Sequence, residues 1–204
     1  DVPLCEAAVR CASAEMEEIQ KIVAEVTEGA ITSVRSPKMR EWVLERVGEQ
    51  AKKLMWTGEK YSIDKAVRAN LLAMENHDEV PADVAEVIQC ADDLWASSVA
   101  KFSRLKSLAD EEDARVRGAF VFAGGSATGR ASSYGAQVHN LPRKSAQDPE
   151  AVRTAMVRGH EIVPKYGAKV NTVLKEMLRP SLIAPQGSVF IDYDWSAIEA
   201  RVLP

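Results

Sequence analysis

The chain has 204 residues, a formal net charge of −4, and 46% apolar and 27% charged side chains. That length can bury a substantial core as one large domain or two small ones, and the composition is ordinary for a globular protein. No global positive field recruits a polyanion, and there is neither a signal peptide nor an apolar run of membrane-spanning length, so no membrane partner is expected.

Cys5, Cys11 and Cys90 are odd in number and lack metal-ligand spacing. They read as reduced structural thiols, which fits a cytoplasmic setting. The first residue is Asp rather than Met, so a fragment of something larger is expected.

In chain order, Val9, Ala12, Met16, Ile19, Ile22, Val23 and Val26 recur at helical spacing, which predicts an amphipathic helix from about 4 to 27, ended by Gly29. Ser36-Pro37 opens a second helix that carries Met39, Trp42, Val43 and Val47 and stops at Gly48. A third follows Ser62, and His77 lies in the polar connection beyond it. Pro81 opens a long helix to about Leu108, roughly 40 Å at ~1.5 Å per residue. Ser97, Ser98, Lys101, Arg104 and Lys106 near its far end read either as a solvated face or as a phosphate-contacting tip.

Asp110-Glu111-Glu112-Asp113 is an acidic turn and the expected boundary between two regions, 1–110 and 111–204. Past it, 115–122 reads as a strand, Gly124-Gly125-Ser126 as a turn and 128–143 as a polar stretch with little periodicity. Asp148-Pro149 caps a helix with Val152, Met156 and Val157. Asn171 is expected to cap a shorter one through Val173, Leu174 and Met177, ended by Arg179-Pro180. Residues 188–195 read as a buried strand, rich in β-branched and aromatic side chains and interrupted by Asp192 and Asp194. The expected fold is α+β and mostly α.

Two stretches carry chemistry. From Thr128 to Arg143, two glycines, two serines, Gln137, His139 and Asn140 crowd together with two arginines. Such a stretch is an exposed loop, or one whose side chains donate to phosphates, sugars and base edges. At the ending, Ser196-Ala197-Ile198-Glu199 fits a capping box, which explains Ser196 and Glu199 without any function. It does not explain Asp194, which is placed to give a hard cation one carboxylate. Strand alternation would put Asp192 on the same face.

In this order the stretches resemble family A DNA polymerases of the bacteriophage type. Thr128-Gly129-Arg130, Ser132-Ser133 and Gln137-Val138-His139-Asn140-Leu141-Pro142-Arg143 are similar to the family's primer–template-binding motif. Leu178-Arg179-Pro180 with Ala184-Pro185-Gln186-Gly187 resembles the lead-in to motif A, and Asp194-Trp195-Ser196-Ala197-Ile198-Glu199-Ala200-Arg201 resembles motif A itself. The residues 27–31 and 97–101 look like the family's thumb region. His139 departs from the family's usual Gln, Ala131 and Tyr134-Gly135 are unusual, and Pro204 stands where the family continues a helix.

The resemblance implies a helical thumb with a long antiparallel helix pair over 1–110 and the start of an antiparallel-sheet palm over 111–204. It implies DNA-directed DNA synthesis with two Mg²⁺ ions, held by Asp194 and the Trp195 carbonyl. Ser196 would line the incoming dNTP site, and Glu199 would exclude a ribose 2′-hydroxyl, which argues against a single-subunit RNA polymerase. Arg130, Ser132, Gln137, His139 and Asn140 would contact primer or template, with Lys101 and Arg201 in support. The family's fingers helix and second catalytic aspartate follow motif A, and these 204 residues are expected to include no 3′-5′ exonuclease domain. The chain alone is therefore expected to be inactive, requiring the fingers and the remaining palm as a continuation or a second chain. A truncated piece, a split polymerase and an intein-separated half are all compatible with that. The rival reading is a noncatalytic DNA-binding or interaction module that keeps the strand and loop for shape.

Overall fold

The computed structural model describes residues 1–74, 78–94, 98–160, 169–194, 196–197 and 201. Eight α-helices dominate the described residues: α1 (Val2–Val26), α2 (Pro37–Arg46), α3 (Glu49–Met55), α4 (Lys65–Leu72), α5 (Ala82–Leu94), α6 (Ser98–Leu108), α7 (Pro149–Val157) and α8 (Val170–Glu176). One two-stranded antiparallel ribbon, β1 (Phe120–Val121) and β2 (Ser132–Ser133), and a 3₁₀ turn at Val138–Asn140 complete the described elements. The architecture is α+β, mostly α.

Local chemistry sets most helix ends. Pro at the first turn loses no hydrogen bond, because that N–H has no intrahelical partner. Ser36 Oγ accepts from Lys38 N ahead of Pro37, and Asp148 Oδ1 accepts from Ala151 N at 3.0 Å ahead of Pro149. Gly29, at φ 80°, turns the chain out of α1, and its N–H closes onto Ala24 O at 2.8 Å. The sequence pattern passes over α3 because its cap is not local. Gly48 opens it, and the Glu79 carboxylate accepts from Gln50 N and Ala51 N at 2.9 and 3.0 Å. A Cβ on Gly48 would lie 2.4 Å from Glu79 Oε2, so the cap needs the glycine.

Two buried clusters result. The first joins Ile19 and Val23 of α1 to Met39, Trp42 and Val43 of α2, Ala51 and Met55 of α3, Leu71 of α4 and Val84, Val87 and Ile88 of α5. The second joins Leu4, Cys5, Ala7 and Ala8 of α1 to Phe102 and Leu105 of α6, Val152 and Met156 of α7 and Leu174, Met177 and Leu178 at and beyond α8. α1 thus runs through both, packing on α5, α6, α7 and α8, with Met16 exposed between the clusters. Each buried leucine or phenylalanine contributes about 1.5–3 kcal/mol relative to exposure, which outweighs any single cap. The apolar stripe read from the sequence reaches the second cluster only at Val9 and Ala12 and overlooks Leu4, Cys5, Ala7 and Ala8.

Other expectations fall outside the described residues or differ from the structure. The stretch from Pro81 to Leu108 is described as α5 and α6, on either side of residues 95–97, which lie outside the described residues with Trp95 and Ser97. His77 also lies outside them. The strand expected at 115–122 is only Phe120–Val121, with an isolated bridge joining Ala109 to Val116. Asn171 is not a cap: Lys169 precedes α8, and the Asn171 amide donates instead to Asp93 O on α5. The buried strand expected at 188–195 is absent among its described residues. Val189, Phe190, Ile191 and Tyr193 are 68–86% exposed, and no strand of the described chain pairs with them. β-propensity reports fit to a neighbouring strand, and here there is none to fit.

All three thiols are free, with Cys5 and Cys90 buried. Burial pushes the Cys5, Cys11 and Cys90 thiols above their ordinary pKa, as for inert structural cysteines.

Candidate nucleic-acid interface

The polar stretch forms an ordered platform on the second cluster. β1 and β2 pair with Phe120 opposite Ser133 and Val121 opposite Ser132, and Tyr134 N extends the ribbon by donating to Ala119 O at 2.7 Å. The connection between the strands closes tightly: Gly125 N donates to Arg130 O at 2.9 Å, and Gly129 N to Gly125 O at 2.7 Å. Glycine is required there by close approach, since a Cβ on Gly124 would sit 2.0 Å from Ser132 Oγ. Arg130 emerges from this turn exposed, without an ion-pair partner among the described residues.

Past β2 the chain turns through Gln137 at φ 50° into the 3₁₀ turn. Ser133 Oγ bonds His139 Nδ1 and accepts from His139 N at 3.2 Å, fixing the ring beside the ribbon. Ala136 and Leu141 are buried in the second cluster, while Gln137, His139, Asn140 and Arg143 are exposed. Two long cations hold this loop from outside. Lys101 Nζ, on α6, donates to Asn140 O at 2.7 Å; Arg179, beyond α8, donates from Nε to Pro142 O at 2.6 Å and from a terminal nitrogen to Leu141 O at 3.4 Å. Charge-assisted bonds of this kind are about twice as strong as neutral ones, so the loop's backbone is positioned from α6 and from the segment that follows α8.

Lys101 was expected to touch primer or template; here its ammonium is engaged by the loop. Arg179, expected only as part of a lead-in, proves to be a strut of the same loop. A signal was present in the sequence for the platform as a whole. Residues 114–147 carry five Lys or Arg and no Asp or Glu, inside a chain of net charge −4. Arg115 and Arg117 pair back onto Asp113 and Asp110, and Lys144 onto Glu176, which leaves Arg130 and Arg143 as the cations of this stretch without an ion pair among the described residues.

The other expected site residues divide. Ser132 lies on β2, half-buried. Asp192 and Asp194 are exposed on extended chain, so the expectation that they share a strand face has no strand to rest on. Ser196 is exposed in a turn with Ala197 at φ 51°; Arg201 Nε donates to Ser196 O at 2.9 Å and Arg201 N to Ala197 O at 3.2 Å. Trp195 and Glu199 lie outside the described residues, so the capping box and the expected sugar gate do too. Among the described residues, no three His, Cys, Asp or Glu side chains converge as a metal-binding group. Magnesium commonly takes only one or two carboxylates, with phosphate oxygens and water completing its shell, so Asp194 fits a one-carboxylate contribution. Also among the described residues, no helix is long and apolar enough to cross a membrane.

No protein-family model matches the chain, and no solved structure matches it significantly. The chain is similar to the DNA polymerase of Bacillus phage SP02, 32% identical over 151 residues. The match covers 71% of this chain and 23% of the relative, so the chain spans less than a quarter of that protein's length.

Proposed function

We propose that the chain is a portion of a bacteriophage-type family A DNA polymerase, working in the cytoplasm of an infected cell. In this reading residues 1–110 act as its thumb, and residues 111–204 begin its palm. The single observation that carries the reading is the Arg130 platform: a glycine-closed turn presents a guanidinium with no ion-pair partner among the described residues, beside a polar loop that Lys101 and Arg179 hold in place. The chain's likeness to a phage DNA polymerase supports the same conclusion.

In this proposal Arg130 forks onto acceptors along the primer's minor groove, and Gln137, His139 and Asn140 contact the primer or template beside it. Lys101 and Arg179 set the loop's position. Asp194 and the Trp195 carbonyl would be the residues to hold Mg²⁺, Ser196 and Glu199 would face the dNTP, and Arg201 braces the Ser196 carbonyl. Magnesium held by such residues would supply Lewis-acid stabilisation of charge on the reacting phosphate oxygens. The fingers and the remaining palm supply the other groups, as continuation or second chain.

Fluorescence anisotropy with a labelled primer–template tests the interface. Arg130→Ala is expected to weaken binding about tenfold or more; unchanged affinity overturns the assignment. Primer extension tests the chemistry: the 204-residue chain alone is expected to show none. Reconstituted with a segment carrying the fingers and second palm portion, it should extend, and Asp194→Ala should abolish extension while preserving primer–template binding. Retained function in that variant would favour the noncatalytic DNA-binding module.

A further inference from the structure

A second cleft, on the first cluster and away from the Arg130 platform, combines aromatic faces with free cations. α3 ends at Met55, whose side chain is sealed in the core, so its neighbour Trp56 is directed outward. The chain then doubles back: Thr57 N donates to Lys60 O at 3.0 Å and Ser62 N to Met55 O at 2.7 Å, through Gly58 at φ 93°. This turn brings Tyr61 across from Trp56, ring centroids 5.0 Å apart and planes at 64°. With Glu49, Lys52 and Lys53 the two rings line a cleft of about 400 Å³.

An edge-to-face pair uses only one of its four ring faces, and Trp56 remains 48% and Tyr61 39% exposed. The pair therefore keeps flat π surface in water, at a cost the fold does not offset by covering it. Lys52 is neutralised by Glu49 at 2.9 Å, whereas Lys53 and Lys60 have no ion-pair partner among the described residues. Planar π surface beside free ammonium groups matches a ligand that is itself planar and anionic in repeat. A duplex keeps its bases stacked on one another and offers no free face, whereas an unpaired strand offers one at every nucleotide.

We propose that the Trp56–Tyr61 cleft binds single-stranded nucleic acid, stacking an unpaired base on the exposed ring and placing phosphates at Lys53 and Lys60. This contact lies on a different core from the Arg130 platform and goes beyond the polymerase reading, because it does not require that platform to bind anything.

The test uses the full 204-residue chain carrying Arg130→Ala, so that the platform's contribution is reduced. Anisotropy is measured with labelled oligo(dT) of about 12 nucleotides and with an abasic strand of equal length. Oligo(dT) is expected to bind the tighter of the two. Trp56→Ala should cost about fivefold or more in oligo(dT) affinity, with Trp56→Phe restoring most of it. Lys53→Glu with Lys60→Glu should weaken both strands. Equal affinity for the abasic strand, or no loss in a folded Trp56→Ala chain, overturns the proposal. If circular dichroism shows that Trp56→Ala unfolds, the comparison of abasic and dT strands on the Trp56→Phe chain decides.

Discussion

Arg68 is 2% exposed on α4, yet it carries a full charge. Its Nε and a terminal nitrogen bond Asp92 Oδ1 at 3.3 and 3.1 Å, and another donates to Ile63 O at 2.9 Å, so the guanidinium ties α4 and its entry to α5. Removing Asp92 takes away the carboxylate oxygen that two of those donors share at a buried position. Asp92→Ala is therefore expected to cost about 1–3 kcal/mol in chemical denaturation, more than an exposed ion pair is worth. Arg143 is the opposite kind of cation, exposed and unpaired among the described residues. If it meets a phosphate, Arg143→Ala should lower the slope of log affinity against log salt for primer–template DNA by about one, with little change between sequences.

Helices whose ends are set within a few residues were readable. Ser36 before Pro37 and Asp148 before Pro149 each announce a start, and the structure places α2 and α7 there. Asp148→Ala is expected to remove about 1 kcal/mol, a fall in melting temperature of roughly 2–4 °C. What was not readable depends on partners far away in the chain. The cap of α3 comes from Glu79, and Asn171 resembles a cap until its amide is seen to reach Asp93 O. Residues 188–194 carry strand-forming side chains, but a strand is a relation between two segments and its partner is not in the described chain. The same limit applies to the site. Arg130, Gln137 and His139 could be picked out as candidates from their type, whereas the roles of Lys101 and Arg179 as struts depend on three-dimensional approach.

The molecule as a whole is organised by α1, whose first turns sit in one cluster and whose last turns sit in the other. Leu71→Ala and Leu174→Ala should each cost about 2–5 kcal/mol. Hydrogen exchange should distinguish them: the first variant should speed exchange around Ile19–Val23, the second around Cys5–Ala8. Between the clusters, burial and then the nearby Asp93 push the Glu15 carboxyl above its ordinary pKa. A raised value means the neutral form favours the fold. Its contribution is fully present below 4.5, the ordinary value, and is lost as pH rises through the folded one. Glu15→Gln is expected to melt higher than the unsubstituted chain near neutral pH, with the gap closing in acid; a constant gap would locate the effect elsewhere.

A rod held at both ends also converts angles into distances. α1 has 25 residues, and at ~1.5 Å each that gives an arm of roughly 37 Å, so a tilt of about five degrees at one end sweeps the other by roughly 3 Å. A small rotation in one cluster is thereby magnified into a displacement of a few ångströms at the other.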